Sequence, residues 1–282
     1  MILITAATGQ IGGAATRALV ESGARVRALV RDTSRSAGLT GAELVQGSFE
    51  DDATLARALH GAKTVLLAGR DNPAYVAQLE RVVAAAVSAD VEHMVALSAI
   101  GAAAGSPIAL MRDHHAVEQL VRRQAGSWTF LRPHLSMQNL LRAAEAVRST
   151  GRVTAPMGDL AFPFVATDDV GAAAATVLLD PERHAGTTYR LTGPVAQTYE
   201  SIADALTRLL ERPVSYEAVP PEQYRADLMS AGMTEWRARD LAFIASAYAP
   251  SERAVVRDLP ALLGRPAQSL RGFLEAHRDA FL

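Results

Sequence analysis

The first thirteen residues constrain this chain more than any other segment. Met1-Ile2-Leu3-Ile4-Thr5-Ala6-Ala7-Thr8-Gly9-Gln10-Ile11-Gly12-Gly13 takes a short apolar run into a glycine turn that opens a helix. Residues 2–5 are expected as a buried parallel strand and residues 11–20 as the helix. The first backbone N–H groups of a helix have no intrahelical partner and point at whatever anion lies before them. A pyrophosphate fits there, with Thr8, Gly9, Gln10, Ile11 and Gly12 around it. Gly9 lets backbone approach the phosphates and Gly12 lets the helix sit close to the strand. Ala6 occupies the place of the first glycine of G-x-x-G-x-x-G, so the pattern is incomplete.

Beyond the turn, strand and helix patterns alternate with short breaks, which argues for a parallel sheet covered on both faces. Further strands are expected at 25–30, 43–46, 64–68, 93–98 and 128–131, with helices near 51–59, 73–89 and 107–123. From about Ser136 the alternation loosens. A helix near 137–149, a strand near 162–165, a helix at 168–179 and a strand near 188–191 come first. They are followed by a helix near 199–211, a strand at 214–219, two helices through Tyr248 and a last helix near 270–281. The expected fold is α/β: a Rossmann-type doubly wound parallel sheet over 1–135, with segments near 162–191 returning to it. Residues 136–282 would otherwise form a smaller, mostly helical substrate lobe.

Composition narrows the chemistry. With 282 residues, 49% of them apolar, the chain can bury one large core plus a cap. A net charge of −2 without a basic block argues against a nucleic-acid surface. There is no cysteine, which removes disulfides, thiolate metal sites and cysteine nucleophiles. No metal site is expected: Asp168-Asp169 reads as a helix N-cap pair, because no further ligands gather beside it. No run approaches the length of a membrane span and no leader precedes the first strand, so a cytoplasmic location is expected. Among 28 basic residues the only lysine is Lys63, expected at the surface between a helix and the next strand.

In such folds the end of the second strand meets the adenosine ribose. An acidic residue there accepts from the 2′-OH of NAD, whereas an arginine accommodates the 2′-phosphate of NADP. This chain reads Val30-Arg31-Asp32-Thr33-Ser34-Arg35. Arg31 and Arg35 favour NADP, with NADPH preferred over NADH. Asp32 is open to two roles, a ribose contact or the start of a turn, and the arginines to a solvated alternative. Ser48 and Phe49 would lie beside the adenine, although Phe49 also suits a core position. Ala68, Ser98 and Pro133, at the ends of the fourth, fifth and sixth strands, would line the rest of the cofactor crevice.

Several segments occur in order: Thr5-Ala6-Ala7-Thr8-Gly9-Gln10-Ile11-Gly12-Gly13, Leu29-Val30-Arg31-Asp32, Leu97-Ser98-Ala99-Ile100-Gly101, and Trp128-Thr129-Phe130-Leu131-Arg132-Pro133 with Met137-Gln138-Asn139-Leu140-Leu141. Tyr189-Arg190-Leu191-Thr192-Gly193-Pro194 and Gly264-Arg265-Pro266 follow. Together they resemble the NmrA-like group of atypical short-chain dehydrogenase/reductases over essentially the whole chain. The group includes NADPH-dependent quinone, azo-dye and triphenylmethane-dye reductases, and redox-sensing regulators that bind the cofactor without turnover.

The resemblance also exposes a departure. Ordinary short-chain dehydrogenases carry Tyr-x-x-x-Lys on the helix after the fifth strand, where tyrosine gives the proton. With the two aligned on Glu118, those positions fall on Leu110 and His114. An alcohol/ketone dehydrogenase is therefore disfavoured. Substrates that stabilise an incoming electron pair themselves need only oriented hydride delivery. His114 and His134 are the candidate proton donors. His114 could equally contact the nicotinamide ribose or be a satisfied helix-surface histidine. His134 after the sixth strand is expected at the rim of the crevice as a substrate contact, and His115 points off the His114 face. Ser98 is divided between substrate contact and structure.

Leu135, Met137 and Asn139 match the family segment that passes the nicotinamide. The cap maps onto 224–248, where Met229, Met233, Trp236 and Phe243 are available to line a hydrophobic site or simply to pack. The expected activity is an NADPH-dependent oxidoreductase acting on an electron-poor conjugated or aromatic small molecule. A non-catalytic NADP sensor and a dedicated biosynthetic tailoring enzyme are the alternatives. A small-molecule substrate is the expected partner, with neither nucleic acid nor membrane, and a homodimer is compatible with these residues.

Overall fold

The computed structural model describes residues 1–282, except for the side chain of Arg35. The first half alternates as expected: β1 (Ile2–Ile4), α1 (Gln10–Glu21), β2 (Val26–Val30), β3 (Glu43–Gln46), α2 (Asp52–Leu59), β4 (Thr64–Leu67), α3 (Tyr75–Ser88), β5 (His93–Leu97), α4 (Ala109–Gln124) and β6 (Trp128–Pro133). Then come α5 (Ala144–Thr150), β7 (Arg152–Ala155), α6 (Thr167–Leu179), β8 (Thr187–Leu191), α7 (Tyr199–Leu210), β9 (Ser215–Ala218), α8 (Pro221–Ser230), α9 (Glu235–Phe243), α10 (Asp258–Leu263), α11 (Leu270–Ala276) and α12 (Arg278–Phe281). Seven parallel strands form one sheet in the order β3-β2-β1-β4-β5-β6-β8. The direction of winding reverses between β1 and β4, where doubly wound sheets open a crevice at the carboxyl ends of their strands.

Both faces are covered, as continuous apolar strands require. One face packs Ile4, Val30, Leu66, Val95 and Leu131 against α1, α6 and α10. The other packs Leu3, Leu29, Val65, Leu67 and Phe130 against α2, α3 and α4. Helix α6 lies on α1 at very short range. A Cβ on Gly171 would stand 2.4 Å from Ala14 Cβ and 2.7 Å from the Ala15 nitrogen, so only glycine allows this contact. Arg27, buried within β2, closes the lower end of α2: its guanidinium donates to the Ala58 and His60 carbonyls and pairs with Glu43.

The second lobe has its own apolar cluster, built around Met137, Val147, Phe162, Phe164, Leu206 and Phe273. A two-stranded parallel sheet, β7 with β9, supports it. Four expectations are corrected here. Residues 162–165 form no strand: Pro163 offers no N–H, and only isolated bridges join Phe162 to Gln197 and Val165 to Ser136. The expected helix at 137–149 begins as a 3-10 segment, Met137–Ala143. The last helix is broken at His277. Asp168-Asp169 is not an N-cap pair, because α6 is capped at Ala166. Asp169 is instead buried, and accepts from Arg265 Nη2 and the Gln268 N–H at 2.6 Å each, which anchors the tail on α6. Strand β7 and helix α10 carry too little periodic pattern to be anticipated.

No helix among the described residues is long and apolar enough to cross a membrane. Replacing Gly171 with alanine is expected to cost about 1–3 kcal/mol, because backbone rather than a flexible side chain must move. Calorimetry should show the melting temperature falling by roughly 2–4 °C per kcal/mol. An unchanged melting temperature would show that α1 and α6 part freely.

Candidate functional site

The glycine turn has the geometry an anion site needs. Ala6 is held at φ +48°, the left-handed conformation that favours glycine, which accounts for the first glycine of the G-x-x-G-x-x-G pattern. Its carbonyl accepts the Gly9 N–H at 2.9 Å. A Cβ on Gly12 would stand 2.6 Å from that same carbonyl oxygen, so Gly12 is sterically required for α1 to sit on the turn. Gly9 caps α1 without a side-chain hydrogen bond. The amides of Gln10, Ile11 and Gly12 have no partner among the described residues, and Thr8, Gly9 and Gln10 are exposed. Unpaired amides and helix dipole together favour a phosphate here.

At the switch point itself the Thr5 hydroxyl lies 2.8 Å from the Leu66 and Ala68 carbonyls and accepts the Ala68 N–H. Ala68 is buried in this lock, which ties β1 to β4 directly beneath the crevice. Along the crevice, Arg31 is exposed at the end of β2 and makes no ion pair among the described residues. Asp32 accepts from the Ser34 N–H at 2.9 Å and its hydroxyl at 2.7 Å, so it starts the turn. The Arg35 side chain lies outside the described residues. Ser48 Oγ takes the Glu50 N–H, and Phe49 leans on the core beneath α2 and α3.

At the ends of β5 and β6 a buried charged network lies one helical turn beyond the His114 position of the missing dyad. Glu118 is 1% exposed and accepts from Arg132 Nε and Nη2 at 2.7 and 2.6 Å, and from Ser98 Oγ at 2.6 Å. Ser98 is buried and its hydroxyl proton is committed to Glu118. The bidentate pair fixes α4 against the strand ends, and half-buried Pro133 follows Arg132.

His114 lies one helical turn before Glu118. Its Nδ1 is 3.2 Å from the Tyr75 hydroxyl, and the two rings meet edge to face. Burial raises the Tyr75 pKa, so the phenol keeps its proton and can donate a hydrogen bond to Nδ1 in the tautomer that leaves Nδ1 bare. That leaves the hydrogen on Nε2. Burial lowers the His114 pKa, against opposing pulls from Asp71 and Glu118. The group is a neutral imidazole with one N–H to offer.

His134 does not lie at the rim, contrary to expectation. It is 4% exposed and stacked 4.4 Å from Tyr248, and its Nδ1 takes the Leu135 N–H at 2.7 Å. Burial pushes its pKa down to about 3, so it holds no transferable proton near neutrality.

A cavity of about 240 Å³ opens beside the end of β6. Leu135 and Asn139, two of the residues named for a substrate pocket, line it. Met137 does not: it is buried in the lobe core. Met229 points to solvent and Trp236 is only half-buried, and neither borders the cavity. The cap contributes Tyr224, Leu228, Leu241 and Ile244 instead. Tyr224 and Leu228 are four residues apart on one face of α8, a spacing legible in sequence. The cap is pinned to the start of α4 by Asp240, which is buried and accepts the Ala109 and Leu110 N–H groups at 3.0 and 2.9 Å. It thereby caps the helix that carries His114.

Residues 1–250 match the NmrA-like family. The chain belongs to that family. It is 36% identical to a (4-alkanoyl-5-oxo-2,5-dihydrofuran-3-yl)methyl phosphate reductase of Streptomyces griseus, over 100% of this chain and 99% of that protein. An NAD(P)H azoreductase of Xenophilus azovorans is 34% identical, again over 100% of this chain and 99% of that protein. The NADPH complex of the Escherichia coli quinone oxidoreductase QOR2 superposes with a TM-score of 0.90 at 27% identity, covering 99% of this chain and 100% of that one. This NmrA-like chain therefore shares the full extent of those proteins, cap included.

Two buried histidines set an acid limit on stability. His93 is pushed down to about 4 and His134 to about 3, both chiefly by burial. The unfolded chain binds these protons first, near pH 6.5. Their contribution is complete above that pH and is lost as pH falls through 4 and 3, on the order of a few kcal/mol in all. Unfolding titrations of His134→Asn, which keeps an acceptor for the Leu135 N–H, should show a shallower loss of stability below pH 6.5 than the parent. An identical slope would rule out His134 as a contributor.

Proposed function

We propose that this chain is an NADPH-dependent reductase that delivers hydride to an electron-poor conjugated or aromatic small molecule. The observation that carries this is the pairing of a glycine-seated helix N-terminus after β1, its first amides unpaired among the described residues, with an apolar cavity that opens beside the end of β6 of the same sheet. The cofactor fits the residues present: Thr8 to Gly12 would hold the pyrophosphate, and Arg31, which has no ion pair among the described residues, the 2′-phosphate. When bound, the nicotinamide supplies the hydride.

The chain's own part is to orient and to shield. The Glu118–Arg132 pair fixes the strand ends, and Asp240 holds the cap over them. The His114 Nε2–H can donate a hydrogen bond to an oxygen or nitrogen that gains charge. A neutral donor of this kind suits quinones, azo compounds or cationic dyes, which accept an electron pair without full proton transfer from the protein. The names of the relatives, an azoreductase and a quinone oxidoreductase, support that class. The Streptomyces relative, named for a single furanone, supports a narrower substrate range within it.

Purified protein should oxidise NADPH with at least one member of a panel containing a quinone, an azo dye and a triphenylmethane dye. Tight NADPH binding with no oxidation across the panel would favour a sensor. Arg31→Ala is expected to weaken NADPH about 10- to 100-fold in a binding titration and NADH less than about 3-fold. Equal losses would remove Arg31 from the 2′-phosphate site. His114→Phe is expected to lower kcat with a quinone about 10-fold or more while NADPH affinity stays put. Unchanged turnover would leave His114 a packing residue.

A further inference from the structure

The cavity carries one charged side chain whose chemistry the reductase reading does not use. Arg142 lines it among Leu135, Leu140, Phe164, Tyr199 and Tyr224. Its Nη2 donates to Asn139 Oδ1 at 2.9 Å, and it makes no ion pair among the described residues. Arg237 adds a second positive charge to its field, and it too makes no ion pair among the described residues. The one carboxylate that acts on Arg142 is Asp71, and more weakly than any other neighbour. Arg142 is exposed, so the N–H groups it does not give to Asn139 are open to an anionic group that enters the cavity, and no other charged side chain lines that cavity.

We propose that Arg142 is a specificity-determining residue that binds an oxyanion substituent of the substrate, a carboxylate, sulfonate or phosphate. Arg237 reinforces its field and Asn139 fixes its fork. The inference rests on the reductase reading in taking the cavity as the substrate site, and it narrows the substrate class to anionic acceptors. An uncharged acceptor of the same shape fills the apolar walls but leaves the guanidinium unsatisfied.

The test uses azobenzene-4-carboxylate and its methyl ester, titrated calorimetrically into the full chain saturated with NADP⁺. Parent protein should bind the carboxylate about 10- to 100-fold more tightly than the ester. Arg142→Met should bring that ratio within about 3-fold by weakening the carboxylate alone, and Arg142→Lys should restore part of it. NADPH affinity should be the same in all three proteins, which also reports folding. No carboxylate preference in the parent, including no binding of either probe, overturns the proposal. So does equal weakening of both probes in Arg142→Met, or a loss of NADPH affinity there, which would assign Arg142 to the cofactor. Because the ratio is read without turnover, failure of NADPH oxidation across the acceptor panel counts against the reductase reading separately.

Discussion

The close seating of α1 is the contact on which the rest of the crevice depends. Its amino end rests on the Ala6 carbonyl, and a Cβ at Gly12 would come within 2.6 Å of that oxygen. Its flank meets α6 through Gly171. Both approaches shorten the distance between helix and sheet, so the unpaired amides of Gln10, Ile11 and Gly12 emerge at the switch point and not above it. The Thr5 hydroxyl adds the matching constraint from below by joining β1 to the end of β4. A backbone held this tightly can accept a pyrophosphate with little reorganisation.

A second constraint lies at the other end of the crevice. Removing one partner of a buried ion pair is far more damaging than exchanging an exposed one, because the remaining charge stays desolvated. Glu118 and Arg132 form such a pair, with Ser98 as third member. The network lies one helical turn beyond the His114 position of the missing dyad. What remains for a ligand is His114, held neutral by burial and oriented by Tyr75. The site is therefore stronger in positioning than in acid–base power, and that balance matches acceptors whose own conjugation takes up the electrons.

The cap links these two ends. Asp240 caps α4, so any movement of α9 bears on the helix that presents His114 and Glu118. The cavity beneath the cap is largely apolar, yet includes Arg142. Shape alone would admit many flat molecules; a guanidinium on an otherwise uncharged wall is the one feature able to sort them by charge.

The seven parallel strands, their alternation with helices, the glycine turn and the position of Arg31 are all legible in the chain, because period-two and period-3.6 patterns and glycine requirements are local properties. So is the loss of the Tyr-Lys dyad, which needs only Leu110 and His114 to be read against Glu118. Local pattern could not place side chains that act across elements. His134 follows β6 at a position that reads as rim, but packing against Tyr248 from the lobe buries it. Met229 and Trp236 have the composition of a pocket wall, but α8 and α9 turn Tyr224, Leu228 and Leu241 inward. Asp169 looks like a cap and proves to be an anchor for a tail 96 residues away. The sequence by itself determined the fold and the phosphate turn. Only the tertiary structure decided which histidine is reachable and which arginine faces the cavity, because burial and neutralisation of charge are set by residues brought together from distant parts of the chain.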